Sequence, residues 1–188
     1  MRVWVVRHGE SETNQNGQWT GWLDAPLTKK GESDAALAKE ILEKVAFDKI
    51  YSSDLQRARR TAEIAIDGCE YTTTPMLREV NVGDIAGKPL SVIYDENNRP
   101  MNTDGYGRFG GESTAQFRER VCAFIKSLEG EECENIAVFS HAGFLRKFLD
   151  VILEVDIPRK NLCCENCAVA IFEYTDSHWR LHSWINLR

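Results

Sequence analysis

No stretch of this chain approaches the ~20 consecutive apolar residues that a helix needs to cross a bilayer. The first apolar run, Val3 to Val6, is broken at once by Arg7. No secretory leader is recognised in it either, so the expected location is the cytoplasm and no membrane partner is expected. Positive charge is also in short supply. Lys and Arg number 23 against 29 Asp and Glu, giving a net charge of -6 and a pI of about 5.3. Proteins that bind nucleic acid usually show a basic face in their composition, so no nucleic-acid partner is expected. Cationic residues here act locally.

Cysteine is sparse for a disulfide scaffold, with six residues in 188, and a chain this long buries a core without staples. Cys164 and Cys167 do keep the C-x-x-C spacing that can hold zinc or work as a redox pair. A closed zinc site wants four ligands, however, and no second pair follows at matching spacing. Cys133 stands alone, and His178 and His182 are not placed to help. No metal and no cofactor are expected. A metal or redox protein built on Cys163, Cys164 and Cys167 remains the minor alternative to small, half-buried residues leading into a strand.

What is present suits one globular domain over residues 1–188, since 43% of the chain is hydrophobic and 28% charged. Short apolar runs at 2–6, 49–52, 71–74 and 135–140 read as strands, and 168–174 and 179–185 as a final pair joined by a turn at 175–177. Between them, 33–44, 55–66, 114–128 and 143–153 carry helical spacing. The first of these has Ala36, Leu37, Ile41 and Val45 as its stripe. Ser113 with Gln116 forms a capping box before Phe117, Val121, Phe124, Ile125 and Leu128. Residues 11–31 and 75–112 read as long irregular segments, with one short helix near 89–95. Loops of that length in a compact domain are usually functional. The alternation predicts an α/β fold: a three-layer α/β/α sandwich around a mainly parallel sheet.

In such sheets ligands bind at the carboxyl ends of the strands. Three strands end in loaded residues: Val6 into Arg7 and His8, Ser52-Ser53 into Asp54 and Arg57, and Phe139-Ser140 into His141. Parallel strands bring all three endings to one edge. Guanidiniums present planar forks to phosphate or carboxylate oxygens, and a neutral imidazole can carry a phosphoryl group. Phosphoryl transfer is mostly positioning and charge stabilisation, which this set supplies without a metal. Glu79, beside Arg78, is the candidate acid for the leaving oxygen. Arg7 and His8 are neighbours, so in a regular strand they would face opposite ways. Both reach one phosphate only if the strand has ended, and Gly9 is read as the residue that lets the backbone depart.

Six ordered blocks carry a resemblance. They are R-H-G-E (7–10) with Ser11 and Asn14, G-W-L-D-A-P-L-T (21–28) with Gly31, S-S-D-L-Q-R-A-R-R-T-A (52–62), L-R-E (77–79), G-G-E-S (110–113) and S-H-A-G (140–143). With these the sequence resembles the histidine phosphatase superfamily, also called phosphoglycerate mutase-like. The resemblance implies that His8 is the nucleophile, that Arg7, Arg57 and His141 bind the phosphoryl oxygens, and that Asn14 adds a neutral donor. It implies that Glu79 is the proton donor and that Thr20 and Gly21 line the substrate side. The expected partner is a small phosphorylated substrate; a homodimer is one option for the assembly. The roles of Glu10 and Glu112 stay open, Arg59 and Arg60 are read as surface or rim charges, and His178 and His182 as structural.

Departures from the family pattern favour a phosphomonoesterase over a mutase. After the acid this chain reads G-D-I-A-G (83–87), where the family often has G-x-W-E-G. Glycolytic mutases carry an E-R-H-Y-G-type segment where this chain has E-V-N-V-G (79–83), so this chain lacks here a histidine and an arginine for a second anionic group. Candidate substrates include α-ribazole phosphate, sugar or glycerate phosphates and phosphoserine. Residues 80–112 are expected to build the substrate wall, with Tyr94, Tyr106 and Phe109 beside Lys88, Arg99 and Arg108. A mutase and a non-catalytic phosphate-binding module are the alternatives.

Overall fold

The computed structural model describes residues 1–95, 101 and 103–187, so Arg99 lies outside the described residues. The first strand, β1 (Arg2–Arg7), becomes the hub of a six-stranded sheet. It pairs in parallel with β4 (Asn135–Ser140) on one side. On the other it pairs antiparallel with β5 (Val169–Thr175). Beyond β4 come β2 (Lys49–Ser52) and β3 (Thr72–Thr73), both parallel. Beyond β5 comes β6 (His178–Ile185), antiparallel to it. The order is β3-β2-β4-β1-β5-β6, and only β5 runs against the rest. The β5–β6 turn places Asp176 and Ser177 at φ of 49° and 62°, the pair of positive values that a tight hairpin turn of matching twist requires.

Successive strand residues point to opposite faces, so an apolar run such as Val3–Val6 demands cover on both. The helices supply it: α1 (Glu12–Gln15), α2 (Lys29–Leu42), α3 (Gln56–Ala65), α4 (Thr114–Leu128) and α5 (Ala142–Ile152). Val3, Val5, Ile136, Val138 and Phe172 pack with the apolar stripes of α4 and α5. Val6, Ala137, Phe139, Val169 and Ile171 pack with Ala35, Ala38 and Leu42 of α2 and Ala62 and Ala65 of α3. The result is the expected three-layer sandwich. Helix α4 opens as its sequence predicts, with Ser113 Oγ accepting from the Gln116 amide at 3.2 Å and Gln116 Oε1 accepting from the Ser113 amide at 2.9 Å.

Helix α2 departs from the reading of its sequence. It starts at Lys29, because Thr28 caps it by accepting from the Gly31 amide at 3.0 Å. Its buried positions include Gly31, Ala35, Ala38 and Leu42, whereas Leu37 is 42% exposed. Gly31 looked like a loop residue; it is helical and small because the Glu10 carbonyl packs where a side chain would stand. Residues 11–31 are likewise not all irregular, since Ser11 and Asn14 close a capping box around α1. Among its described residues the excursion 75–112 contains four short 3-10 turns. The helix expected near 89–95 is one of them, Leu90–Ile93.

Candidate active site

The carboxyl edge of β1 and β4 opens into a cavity of about 140 Å³. Arg7, His8, Asn14, Thr20, Gly21, Arg57 and Glu79 all border it. His141 does not. It lies fully buried against His8, the rings edge to face with centroids 5.1 Å apart.

Pairing does not stop before the loaded residues, contrary to the sequence reading. Arg7 closes β1, its amide donating to Ala168 O at 2.9 Å, and the His8 amide donates to Ser140 O at 2.9 Å. Gly9 is also not a hinge, since its φ is not among the positive values. A Cβ on Gly9 would overlap the Gly31 carbonyl, so the loop after β1 and the start of α2 meet backbone to backbone. Glu10 faces this joint rather than the cavity. Its carboxylate accepts from Thr28 Oγ at 2.9 Å and pairs with Lys30 at 3.2 Å.

His8 Nδ1 lies 2.6 Å from the carbonyl oxygen of Gly9, and a carbonyl can only accept, so Nδ1 carries the proton and Nε2 the lone pair. That lone pair faces Arg57, whose Nε donates to it at 3.2 Å. Burial, then the Arg57 and Arg7 charges, hold the imidazole well below its ordinary pKa. It stays neutral.

Arg57 occupies the first turn of α3, fully buried, its two Nη groups donating to Leu23 O and Gly21 O at 2.9 Å each. Burial pulls its pKa down to about 10, still cationic at neutral pH. Arg7 is held by the Cys164 carbonyl at 2.5 Å. Glu79 projects from the segment after the Pro75–Leu77 turn, and its carboxylate accepts from the amides of Val80 and Gly143 at 2.9 Å each. Asn14 Oδ1 accepts from the Ser11 amide at 3.2 Å and from Asn166 Nδ2 at 3.4 Å. Thr20 shares a 2.6 Å hydroxyl contact with Thr13.

His141 Nε2 is 2.9 Å from Ser53 Oγ. That hydroxyl also accepts from the Leu55 amide at 3.3 Å. Nδ1 is buried with no partner among the described residues. Burial, then Arg57, hold this ring neutral too.

Two features escaped the sequence. The first is Arg120 on α4, which donates to Met76 O and Arg78 O at 2.8 Å each and to Glu79 O at 3.1 Å. Its other face forks onto Glu112 at 2.8 and 2.7 Å, and Glu112 in turn accepts from the Asn81 amide at 2.7 Å. The pair clamps the backbone that carries Glu79, which answers the question of Glu112. An arginine one position before buried Val121 was the only signal. The second is the C-C-E-N-C segment. Its backbone and Asn166 hold the centre: the Cys167 amide donates to His8 O at 3.3 Å and Asn166 Nδ2 to the same oxygen at 3.2 Å. Burial pushes the Cys164 and Cys167 thiols up to about 11 and about 12. Among the described residues no three His, Cys, Asp or Glu side chains gather as a metal site. His178 and His182 are exposed on β6 and border neither cavity.

An imidazole with one unprotonated nitrogen, two guanidiniums and a carboxyl at the strand ends of a doubly covered sheet define a class: α/β proteins with a site suited to an oxyanion beside histidine. The chain belongs to the histidine phosphatase superfamily (branch 1), whose family model matches residues 3–187. Members of that superfamily are phosphatases or mutases that use phosphohistidine. Among its relatives is the "Probable phosphoglycerate mutase GpmB" of Salmonella choleraesuis, 31% identical over 98% of this chain and 90% of that protein. Among solved structures, a phosphoglycerate mutase from Thermus thermophilus superposes with a TM-score of 0.76 at 32% identity, covering all of both chains. A "putative alpha-ribazole-5'-P phosphatase" from Escherichia coli superposes with a TM-score of 0.83 at 25% identity, covering 100% of this chain and 97% of that one. No helix among the described residues is long and apolar enough to cross a membrane.

Proposed function

We propose that the protein is a phosphomonoesterase that works through a phosphohistidine on His8. One observation carries the reading: His8 shows a lone pair on Nε2, fixed by the Nδ1 contact to Gly9, inside a cavity walled by Arg7, Arg57 and Glu79. In the first half-reaction Nε2 attacks phosphorus and the ester P–O bond breaks. Protonated Glu79 gives its proton to the leaving oxygen. Arg7, Arg57 and Asn14, which border the cavity, hold the phosphoryl oxygens, and His141 packs behind His8. In the second half, Glu79 carboxylate takes a proton from water as its oxygen attacks phosphorus. The N–P bond breaks, and His8 returns with its proton on Nδ1.

Hydrolysis is favoured over mutase chemistry by the wall beside Glu79. Val80 and Val82 border the cavity there, and Asn81 is turned to Glu112 and Gly83. These residues offer no cation in the place where glycolytic mutases carry their E-R-H-Y-G-type segment; the further cations that border the cavity, Arg146 and Arg159, come from other segments. The mutase reading stands on the names of relatives, the GpmB protein and the Thermus thermophilus structure among them.

Incubation with a phosphomonoester and a rapid quench should trap an acid-labile, base-stable phosphoenzyme that is absent in His8→Ala. A phosphoenzyme that persists in this variant would overturn the assignment. A panel of phosphorylated metabolites including 2- and 3-phosphoglycerate, scored for phosphate release and for isomerisation, separates the two activities. Phosphate release should dominate.

A further inference from the structure

The small cavity is not isolated. A second one of about 960 Å³ shares Arg7, Trp19, Val80, Leu90, Gly143, Arg146 and Arg159 with it, so the two form one space with the reacting centre at its narrow end. The wide end is at the upper limit of ordinary ligand pockets. Much of its wall is apolar: Trp19, Leu90, Ile93, Tyr106, Phe117 and Ile157. Trp19 and Tyr106 stand edge to face with centroids 5.5 Å apart.

Its charge is the informative part. Four arginines, Arg7, Arg57, Arg146 and Arg159, line the joined space. Among the described residues none of them has a carboxylate within ion-pair distance; of the described arginines outside it, Arg2, Arg60, Arg78 and Arg120 do, and Arg59, Arg108, Arg118 and Arg180 do not. Lys147, which also borders the wide cavity, is already matched by Asp150 and Asp156 at 3.0 and 3.2 Å. Arg146 makes one long contact, Nη2 to Leu162 O at 3.3 Å, and its buried Nε has no partner among the described residues. A phosphomonoester brings up to two negative charges, which Arg7 and Arg57 match. Two guanidiniums remain on the leaving-group side. In a chain of net charge -6, carboxylates to neutralise them were not scarce.

We infer that Arg146 and Arg159 form a second anion site, and that the substrate is the phosphomonoester of a bulky, partly apolar alcohol that itself bears an acidic group. This rests on the phosphomonoesterase reading and narrows it. The phosphoryl group occupies the narrow end, the apolar body lies against Trp19, Tyr106 and Phe117, and the acidic group takes the guanidinium forks. A short three-carbon acid fills too little of this space, and a neutral aromatic alcohol leaves both arginines unmatched.

The test compares 2-naphthyl phosphate with 6-carboxy-2-naphthyl phosphate on wild type, Arg146→Gln, Arg159→Gln and Arg146→Lys. Wild type should prefer the carboxylated ester in kcat/KM by roughly ten- to a hundredfold, the scale of one charge-assisted hydrogen bond. The preference should shrink to a few-fold in Arg146→Gln and survive in part in Arg146→Lys. Equal kcat/KM for the two esters in wild type would overturn the proposal. So would a preference ratio in Arg146→Gln and Arg159→Gln equal to that of wild type, because the arginines then serve the transferred phosphoryl group or nothing at all. The underlying reading is checked separately, by the His8 phosphoenzyme formed from 2-naphthyl phosphate in wild type. Its absence sinks the esterase assignment, whereas its presence without a carboxylate preference sinks only the second site.

Discussion

Acid should unfold this protein over a window set by two residues. In the native state burial, with Arg57 next in effect, holds His8 and His141 well below the ordinary histidine value. In the unfolded chain each takes up a proton near pH 6.5. Below that pH the unfolded state binds more protons than the native state, so the free energy of unfolding falls as pH falls. At pH 5.5 each histidine should have removed about 1.4 kcal/mol relative to neutral pH, or about 2.8 kcal/mol for the pair. The carboxylates held low by partners, Asp48, Asp54 and Glu131, do not enter this window. Their contribution is present above the ordinary carboxylate pKa of ~4 and is lost only below it. Urea unfolding followed by tryptophan fluorescence between pH 7.5 and 5.5 measures the fall. Phosphate-free buffers are required, because an anion bound to the native state adds its own stabilisation. His8→Gln and His141→Gln should each halve the fall, whatever they do to stability at pH 7.5. A flat wild-type profile, or an unchanged fall in both variants, would refute the burial of two neutral imidazoles.

Arg120→Ala removes one side of a clamp whose two members are each about 15% exposed, and breaking such a pair should cost about 3 kcal/mol in chemical denaturation. Glu112→Gln, which keeps shape but not charge, should depress turnover most for esters with poor leaving groups if the clamp aims Glu79. A loss equal for all leaving groups would make the clamp merely structural. Gly31→Ala drives a methyl into the Glu10 carbonyl and should lower stability by about 1–3 kcal/mol; an unchanged melting temperature would contradict the close packing. Arg57→Ala should lower kcat by about 10²–10³, the scale of losing one preorganised charge stabiliser, and steady-state assays with an aryl phosphate would show it.

Legibility in the sequence tracked how local the determining physics was. The strands around the centre were readable because β1 and β4 are apolar runs between polar breaks, and α4 because its cap and stripe lie within one segment. Helix α2 was misplaced although its Thr28 cap is local, because Gly31 in its first turn reads as a loop residue and the reason it is small, the Glu10 carbonyl, lies about twenty residues upstream. Gly9 was assigned to the wrong cause for the same reason: its partner, Gly31, is visible only once the chain has folded. At the candidate site, residue types at strand ends identified Arg7, His8, Arg57 and His141 as neighbours. Arg120 was invisible because its carbonyl partners and Glu112 come from segments up to 44 residues away. The C-C-E-N-C segment misled through its side chains, since it acts through its backbone.

The place of β1 in the sheet has a temporal consequence. The strand that carries Arg7 and His8 is made well before its two neighbours, which begin at Asn135 and Val169. At ribosomal rates of about 5–20 residues per second, β1 waits on the order of ten seconds before a partner strand emerges. Pairings so distant in sequence also slow the final collapse. The nascent chain thus carries an apolar, unpaired strand until β4 has been made, exposed to any holdase able to bind it. A ribosome stalled anywhere before the codon for Cys164 displays a chain that owns His8 but lacks the carbonyl that holds Arg7 beside it.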